Sequence, residues 1–249
     1  MSKNNSPFFS VIIATKNISN EFHKTLESIL SQKFKSYEII LIDSSDNEKS
    51  KKIINEYSST VDRILDKGDK GIYDAWNQGL SVSKGKWIVF LGSGDILTEN
   101  SFETIHEKIK HEDLDLFLTN INLVSKDSCK FIKPQIFNFN TLSKFIQPPH
   151  PGVFHNKNVF INYGKFNDSY KIAGDYEFLL RIVEKINYEI LDIISVEMLA
   201  GGVSQSFRVV KEGFKIQYLD KRFKLYAVLY NCFKIVLKLC LKRYTKYFQ

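Results

Sequence analysis

The sequence predicts an α/β fold in which a mostly parallel central sheet lies between two helical layers, followed by a C-terminal amphipathic helical tail. Three observations predict it. Short apolar, β-rich runs alternate with stretches of helical periodicity through the first hundred residues. Parallel strands joined by helices must be covered on both faces, so near-continuous apolar strands fit a three-layer arrangement. Polar residues also cluster directly after those strands, where open α/β sheets hold their ligands.

Each element can be read in order. Phe8 to Ala14 forms the first strand, and Glu21 to Gln32 carries Phe22, Leu26, Ile29 and Leu30 on one helical face. Glu38 to Ile42 is a second buried strand and closes a βαβ unit. Asp46 precedes a Lys-rich helix with Ile53, Ile54 and Tyr57 on one face, and Val61 to Leu65 is a third strand leading into Asp69. A loop and a helix follow, the latter packing Tyr73, Trp76 and Leu80, and Trp87 to Leu91 is the fourth strand. Beyond it the pattern predicts a helix from Asn100 to His111, a strand over Leu114 to Thr119, an irregular stretch to Pro149, and a helix from about Asp175 to Glu184. No internal repeat or low-complexity segment interrupts it.

Composition narrows the function classes. A chain of 249 residues, 43% hydrophobic, can bury one sizeable core. The net charge of +7 is concentrated at one end: from Lys211 onward ten Lys or Arg face only Glu212 and Asp220, a local +8 that leaves the rest at −1. That distribution argues against nucleic acid as a partner of the body. Cys129, Cys232 and Cys240 form neither a C-x-x-C pair nor an even set, so zinc clusters and disulfide frameworks are not suggested. The run from Phe8 is too short and too early for a signal-peptide core, and a cytoplasmic location is expected.

Between Asp220 and Thr245, Lys224, Asn231, Lys234, Lys238 and Lys242 recur at helical spacing among Leu225, Val228, Leu229, Phe233, Val236, Leu237, Leu239 and Leu241. The longest uncharged run, Leu225 to Phe233, is far short of the ~20 residues that span a bilayer. A cationic amphipathic helix lying at the inner face of the membrane is expected; a helix packed on the body or on another subunit is the alternative.

The most specific blocks are Asp69-Lys70-Gly71-Ile72-Tyr73-Asp74-Ala75-Trp76-Asn77-Gln78-Gly79 and Gly85-Lys86-Trp87-Ile88-Val89-Phe90-Leu91-Gly92-Ser93-Gly94-Asp95. With Ser10-Val11-Ile12-Ile13-Ala14-Thr15-Lys16-Asn17, Glu38 to Asp43, and Lys171-Ile172-Ala173-Gly174-Asp175-Tyr176-Glu177, they resemble family 2 glycosyltransferases of the GT-A (Rossmann-like) type. The likeness is to the bacterial exopolysaccharide and colanic-acid-type enzymes, and it runs from Ser10 to about Ser204. It implies a catalytic domain over 1–205, with a nucleotide-sugar half at about 8–98 and an acceptor half at about 99–205, and a basic tail over 206–249. It further implies inverting transfer of a sugar from a nucleotide-diphosphate donor to a growing cell-surface polysaccharide or lipid-linked oligosaccharide, with Mg²⁺ or Mn²⁺ as cofactor.

Residue by residue, the resemblance assigns Thr15, Asn17 and Asp43 to the nucleoside, and Asp69, Gly71, Asp74 and Asn77 to the nucleotide or donor sugar. The chemistry agrees in outline: a carboxylate accepts from ring N–H or ribose hydroxyl groups, and a helix N-terminus with small residues admits phosphate oxygens. Helix capping is the plain alternative for Asp43 and Asp69. Asp95 is the expected metal ligand, although Gly92-Ser93-Gly94-Asp95 stands where many relatives carry D-x-D-D. His150 is a second candidate, as ligand or diphosphate contact, against an ordinary structural histidine. Asp175 is the expected base that takes the acceptor proton, with an N-cap as its alternative; Glu177 and Arg181 are spaced for a structural ion pair.

Two other classes fit the same sheet. A nucleotidyltransferase would need a Gly-rich loop after the first strand, which Ala14-Thr15-Lys16-Asn17 lacks. A non-catalytic binding or membrane-scaffold protein is suggested by Gly92 and Gly94, and opposed by Asp43, Asp95 and Asp175 together.

Overall fold

The computed structural model describes residues 6–18, 21–66, 68–109, 113–201 and 207–247. Its first half follows the expected alternation: β1 (Phe9–Thr15), α1 (Glu21–Leu30), β2 (Tyr37–Asp43), α2 (Glu48–Glu56), β3 (Arg63–Leu65), α3 (Ile72–Val82) and β4 (Trp87–Gly92). The second half holds β5 (Ile96–Leu97), α4 (Ser101–Lys108), β6 (Leu116–Val124), β7 (Cys129–Ile132), α5 (Phe139–Ser143), β8 (Val153–Asn156), α6 (Lys157–Tyr163), α7 (Gly174–Ile182), β9 (Tyr188–Leu199), α8 (Phe207–Leu219) and α9 (Leu225–Tyr247).

The strands form one sheet in the order β3-β2-β1-β4-β8-β6-β9-β5, with β7 added to β6. β1 to β4, β6 and β9 point one way, and β5, β7 and β8 run against them. Alternate residues feed opposite cores, as the two-residue period of a strand requires. Phe9, Val11 and Ile13 join Ile39, Leu41, Trp87, Val89 and Leu91 under Phe22, Leu26, Ile53 and Phe102. Ile12, Ile40, Ile42, Ile88 and Phe90 join Tyr73, Trp76, Leu80, Phe178 and Leu179 on the other face. α3 lies close to the sheet because Gly79 has no side chain; a Cβ there would lie 2.6 Å from Ile12 Cγ2.

The structure corrects the reading of the middle of the chain. The strand expected over 114–119 is β6 and runs on to Val124, and the stretch read as irregular to Pro149 contains β7 and α5. β9 was not legible. Its Glu189, Asp192 and Glu197 break up the apolar signal, and its register against β6 shifts twice between Thr119 and Ile121. Part of the segment expected to be a tail is also built into the body, since α8 buries Ile216 and Gln217. Gln217 donates to the Ser143 carbonyl and the Tyr176 hydroxyl.

Candidate active site

The topology brings the candidate residues to one edge of the sheet. β1, β2 and β4 end there; the N-terminus of α3 opens there after β3; and the antiparallel β8 begins there.

Thr15 and Asp43 are partners in the β1–β2 register, and both are buried. Asp43 Oδ1 accepts from Ser45 Oγ at 2.6 Å, and Ser45 Oγ accepts from the Asn17 N–H at 2.7 Å. Burial raises the Asp43 pKa, and the Ser45 bonds partly oppose it. Asn17 adopts the left-handed conformation (φ 59°), and its Oδ1 accepts from Asn47 Nδ2. Asn47, not Asp43, caps α2, accepting from the Ser50 N–H at 2.8 Å.

Asp69 and Asp74 organise the approach to α3. Asp69 Oδ1 accepts from the Gly71 N–H and Asp74 Oδ2 from the Lys70 N–H. Gly71, at φ 133°, is the residue at the helix start, in a backbone region that favours glycine. Asn77 faces elsewhere: its amide donates to the Phe166 carbonyl and accepts from the Phe166 N–H, tying that loop to α3.

Asp95 is 7% exposed, and both carboxylate oxygens bond to backbone, Oδ2 to the Gly92 N–H at 2.8 Å and Oδ1 to the Leu199 N–H at 3.3 Å. Burial pushes its pKa up to about 6 against these bonds. The glycines beside it are specific to this loop shape. A Cβ at Gly92 would lie 3.1 Å from Asp95 Oδ2, and Gly94 sits at φ 111°.

His150 packs in the aromatic layer, stacked on Trp76 at 4.7 Å and set near Phe90 and His155. Burial drives its pKa well below the usual imidazole range. Among the described residues, no group of three or more His, Cys, Asp or Glu side chains could hold a metal ion. One buried acid is a sparse donor set for Mg²⁺ or Mn²⁺, which favour several oxygens, so the side chains do not fit an ion held by the protein alone.

Asp175 lies in the first turn of α7, where Ala173 is the N-cap. Its Oδ1 accepts from the Tyr176 N–H and lies 2.9 Å from the Tyr73 hydroxyl, while Oδ2 accepts from Gln147 Nε2 at 3.2 Å. Its surroundings raise its pKa by desolvation, with the Tyr73 bond as the leading opposing influence. A raised carboxyl pKa brings a base closer to neutral working pH. Glu177 and Arg181 pair at 3.1 Å, as their spacing predicts.

Sequence reasoning missed Tyr73 and Gln147 as partners of Asp175. Gln147 was visible in the Gln147-Pro148-Pro149-His150 block, and Tyr73 was read only as packing.

Residues 10–169, well over half the chain, match the Glycosyl transferase family 2 profile. A PGL/p-HBAD biosynthesis glycosyltransferase of Mycobacterium bovis is 28% identical over 181 residues, covering 71% of this chain and 70% of its own. S. aureus TarS 1–349 in complex with UDP-GlcNAc superposes with a TM-score of 0.67 at 15% identity, over 92% of this chain and 71% of that one. The mannosyltransferase PcManGT of Pyrobaculum calidifontis, in complex with GDP-Man and Mn²⁺, gives 0.66 at 12% identity over 96% and 76%.

The Asp95 geometry carries a pH prediction. The folded carboxyl holds its proton more tightly than an unfolded one near 3.8, so the ionised form costs stability at neutral pH. That cost disappears as the pH falls through 6 toward 4. Urea unfolding should therefore show wild type gaining on the order of 2 kcal/mol relative to Asp95→Asn between pH 7 and pH 4. Parallel pH profiles for the two proteins would contradict the described burial.

Proposed function

The chain belongs to glycosyl transferase family 2 and has the GT-A fold, and on that premise we propose that it is an inverting glycosyltransferase acting on a nucleotide-diphosphate sugar. The observation that carries this reading is Asp175, oriented through both carboxylate oxygens by Tyr73 of α3 and by Gln147, with Asp43 ending β2 and Asp95 following β4. Thr15, Asn17 and Asp43 take the nucleoside in this reading, and Asp69, Gly71 and Asp74 shape the loop beside the diphosphate. Asn77 serves by position, through Phe166. TarS with UDP-GlcNAc and PcManGT with GDP-Man support a nucleotide-sugar donor.

The transfer runs as a single displacement. The acceptor hydroxyl oxygen attacks the anomeric carbon, its proton passes to the Asp175 carboxylate, and the bond to the nucleoside diphosphate breaks with the electron pair leaving on phosphate oxygen. Were Mg²⁺ or Mn²⁺ to arrive with the donor diphosphate, Asp95 is the acid that would face it, and the ion would supply neutralisation of the departing charge. His150, stacked on Trp76 with both ring nitrogens buried and without a hydrogen-bond partner, stays a candidate ligand or diphosphate contact in this reading.

The acceptor is a glycan or a lipid-linked oligosaccharide of the cell surface, reached from the cytoplasmic face of the membrane. The relative in PGL/p-HBAD biosynthesis is consistent with this class. Among the described residues no helix is long and apolar enough to cross a membrane. α9 instead packs Val228 and Asn231 toward the body while Tyr226, Leu229, Tyr230 and Phe233 remain more than half exposed. Lys234 lies over the Tyr230 ring. Apolar rings edged by lysines suit an anionic headgroup layer.

Asp175→Asn should preserve nucleotide binding and lower kcat by about 10²–10⁴-fold, the usual worth of a positioned base; turnover near wild type would remove Asp175 from that role. The double substitution Phe233→Glu with Lys234→Glu should weaken binding to phosphatidylserine-rich vesicles at least about tenfold and leave nucleotide binding unchanged. Unaltered sedimentation with vesicles would leave α9 as a packing element only.

A further inference from the structure

Glu212, on α8, is one of two acids in the basic C-terminal segment, and its carboxylate is committed to three successive backbone N–H groups. Oε1 accepts from Lys171 at 2.8 Å, and Oε2 accepts from Ile172 and Ala173 at 2.9 Å each. These residues lead into α7, whose N-cap Ala173 receives no side-chain cap of its own. A charged acceptor from another helix therefore secures the backbone that presents Asp175.

The consequence passes through one proton. The Tyr73 hydroxyl is 2.7 Å from the Ile172 carbonyl and 2.9 Å from Asp175 Oδ1. A phenol has a single proton to donate, so the carbonyl and the carboxylate compete for it. Donation to the carboxylate favours its ionised form and weakens it as a base; donation to the carbonyl leaves it more basic. The position of the Ile172 peptide thus decides the balance, and Glu212 holds that peptide by its N–H.

We propose that Glu212 is a positioning residue for sugar transfer: by fixing the 171–173 backbone it places the Ile172 carbonyl, and through Tyr73 it sets the orientation and basicity of Asp175. The inference rests on the reading of Asp175 as the base. It also gives α8 a place in catalysis, and a second link supports that place, since Gln217 on the same helix donates to the Tyr176 hydroxyl.

The test is the pH dependence of kcat and of the donor KM for Glu212→Ala, Tyr73→Phe, the double variant and Asp175→Asn, with a nucleotide-induced thermal shift as the check on folding. Freeing the Ile172 carbonyl in Glu212→Ala should send the Tyr73 proton to Asp175, moving the acid limb of kcat to lower pH and reducing kcat by about tenfold, part of the about 10²–10⁴ that a base contributes. Donor KM should stay within about twofold. Tyr73→Phe removes the donor and should move the limb to higher pH. With Tyr73 gone, adding Glu212→Ala should displace the limb no further, the non-additivity expected of residues acting in series. Additive displacements, or an acid limb at its wild-type position in Glu212→Ala, overturn the proposal. Should Glu212→Ala give no nucleotide-dependent thermal shift, Tyr73→Phe decides: an upward limb supports the relay and an unmoved limb overturns it. Turnover retained in Asp175→Asn would instead remove the base reading itself, and this inference with it.

Discussion

Asp175 reaches Tyr73 because Gly174 has no side chain. A Cβ at that position would lie 2.7 Å from the Tyr73 ring, closer than ordinary packing permits. The contact draws the start of α7, between β8 and β9, against α3, and so ties the second half of the chain to the β1–β4 half. Gly79 does the same service one layer down, letting α3 settle on Ile12 of β1. Two missing side chains therefore set the path from the sheet through α3 to the Asp175 carboxylate.

The three acids are held by different means. Asp43 is buried at a strand end and bonded to Ser45; Asp95 is buried and bonded to two backbone N–H groups; Asp175 is oriented by Tyr73, Gln147 and the Tyr176 N–H. Desolvation raises the pKa of each. In the proposed reaction, carboxyls held above their usual range suit groups that take up a proton or face positive charge as the diphosphate leaves. The body around them is close to neutral, and the positive charge lies at the far end of the chain.

The legible part of this design is the part with a strong period or a strong edge signal. β1, β2 and β4 are buried on both faces, so they read as apolar runs, and Asp43 and Asp95 stand out as acids directly after them. Asp175 was found through its block rather than through periodicity. What stayed hidden depended on long-range pairing. β9 owes its existence to β6, across a register shift that no local pattern records. The bonds of Asn77 to Phe166, and of Glu212 to the 171–173 backbone, likewise join residues far apart in the chain, and no local pattern records them. Whether Tyr73 is only packing or also a proton donor cannot be read from a helical stripe, because the decision lies in two acceptors on another helix approach.

The most direct measurement of the central claim is a thermal-shift titration of the full chain with UDP, GDP, CDP and dTDP, each with and without Mn²⁺, against Asp43→Ala as the reference. A ligand at 100 times its Kd adds about 2.7 kcal/mol of stability, a readily visible shift. The account predicts a shift with at least one of these nucleotides in the wild-type chain and its loss in Asp43→Ala. No shift with any of the four, or an equal shift in both proteins, would contradict a nucleotide site at the carboxyl edge of the sheet.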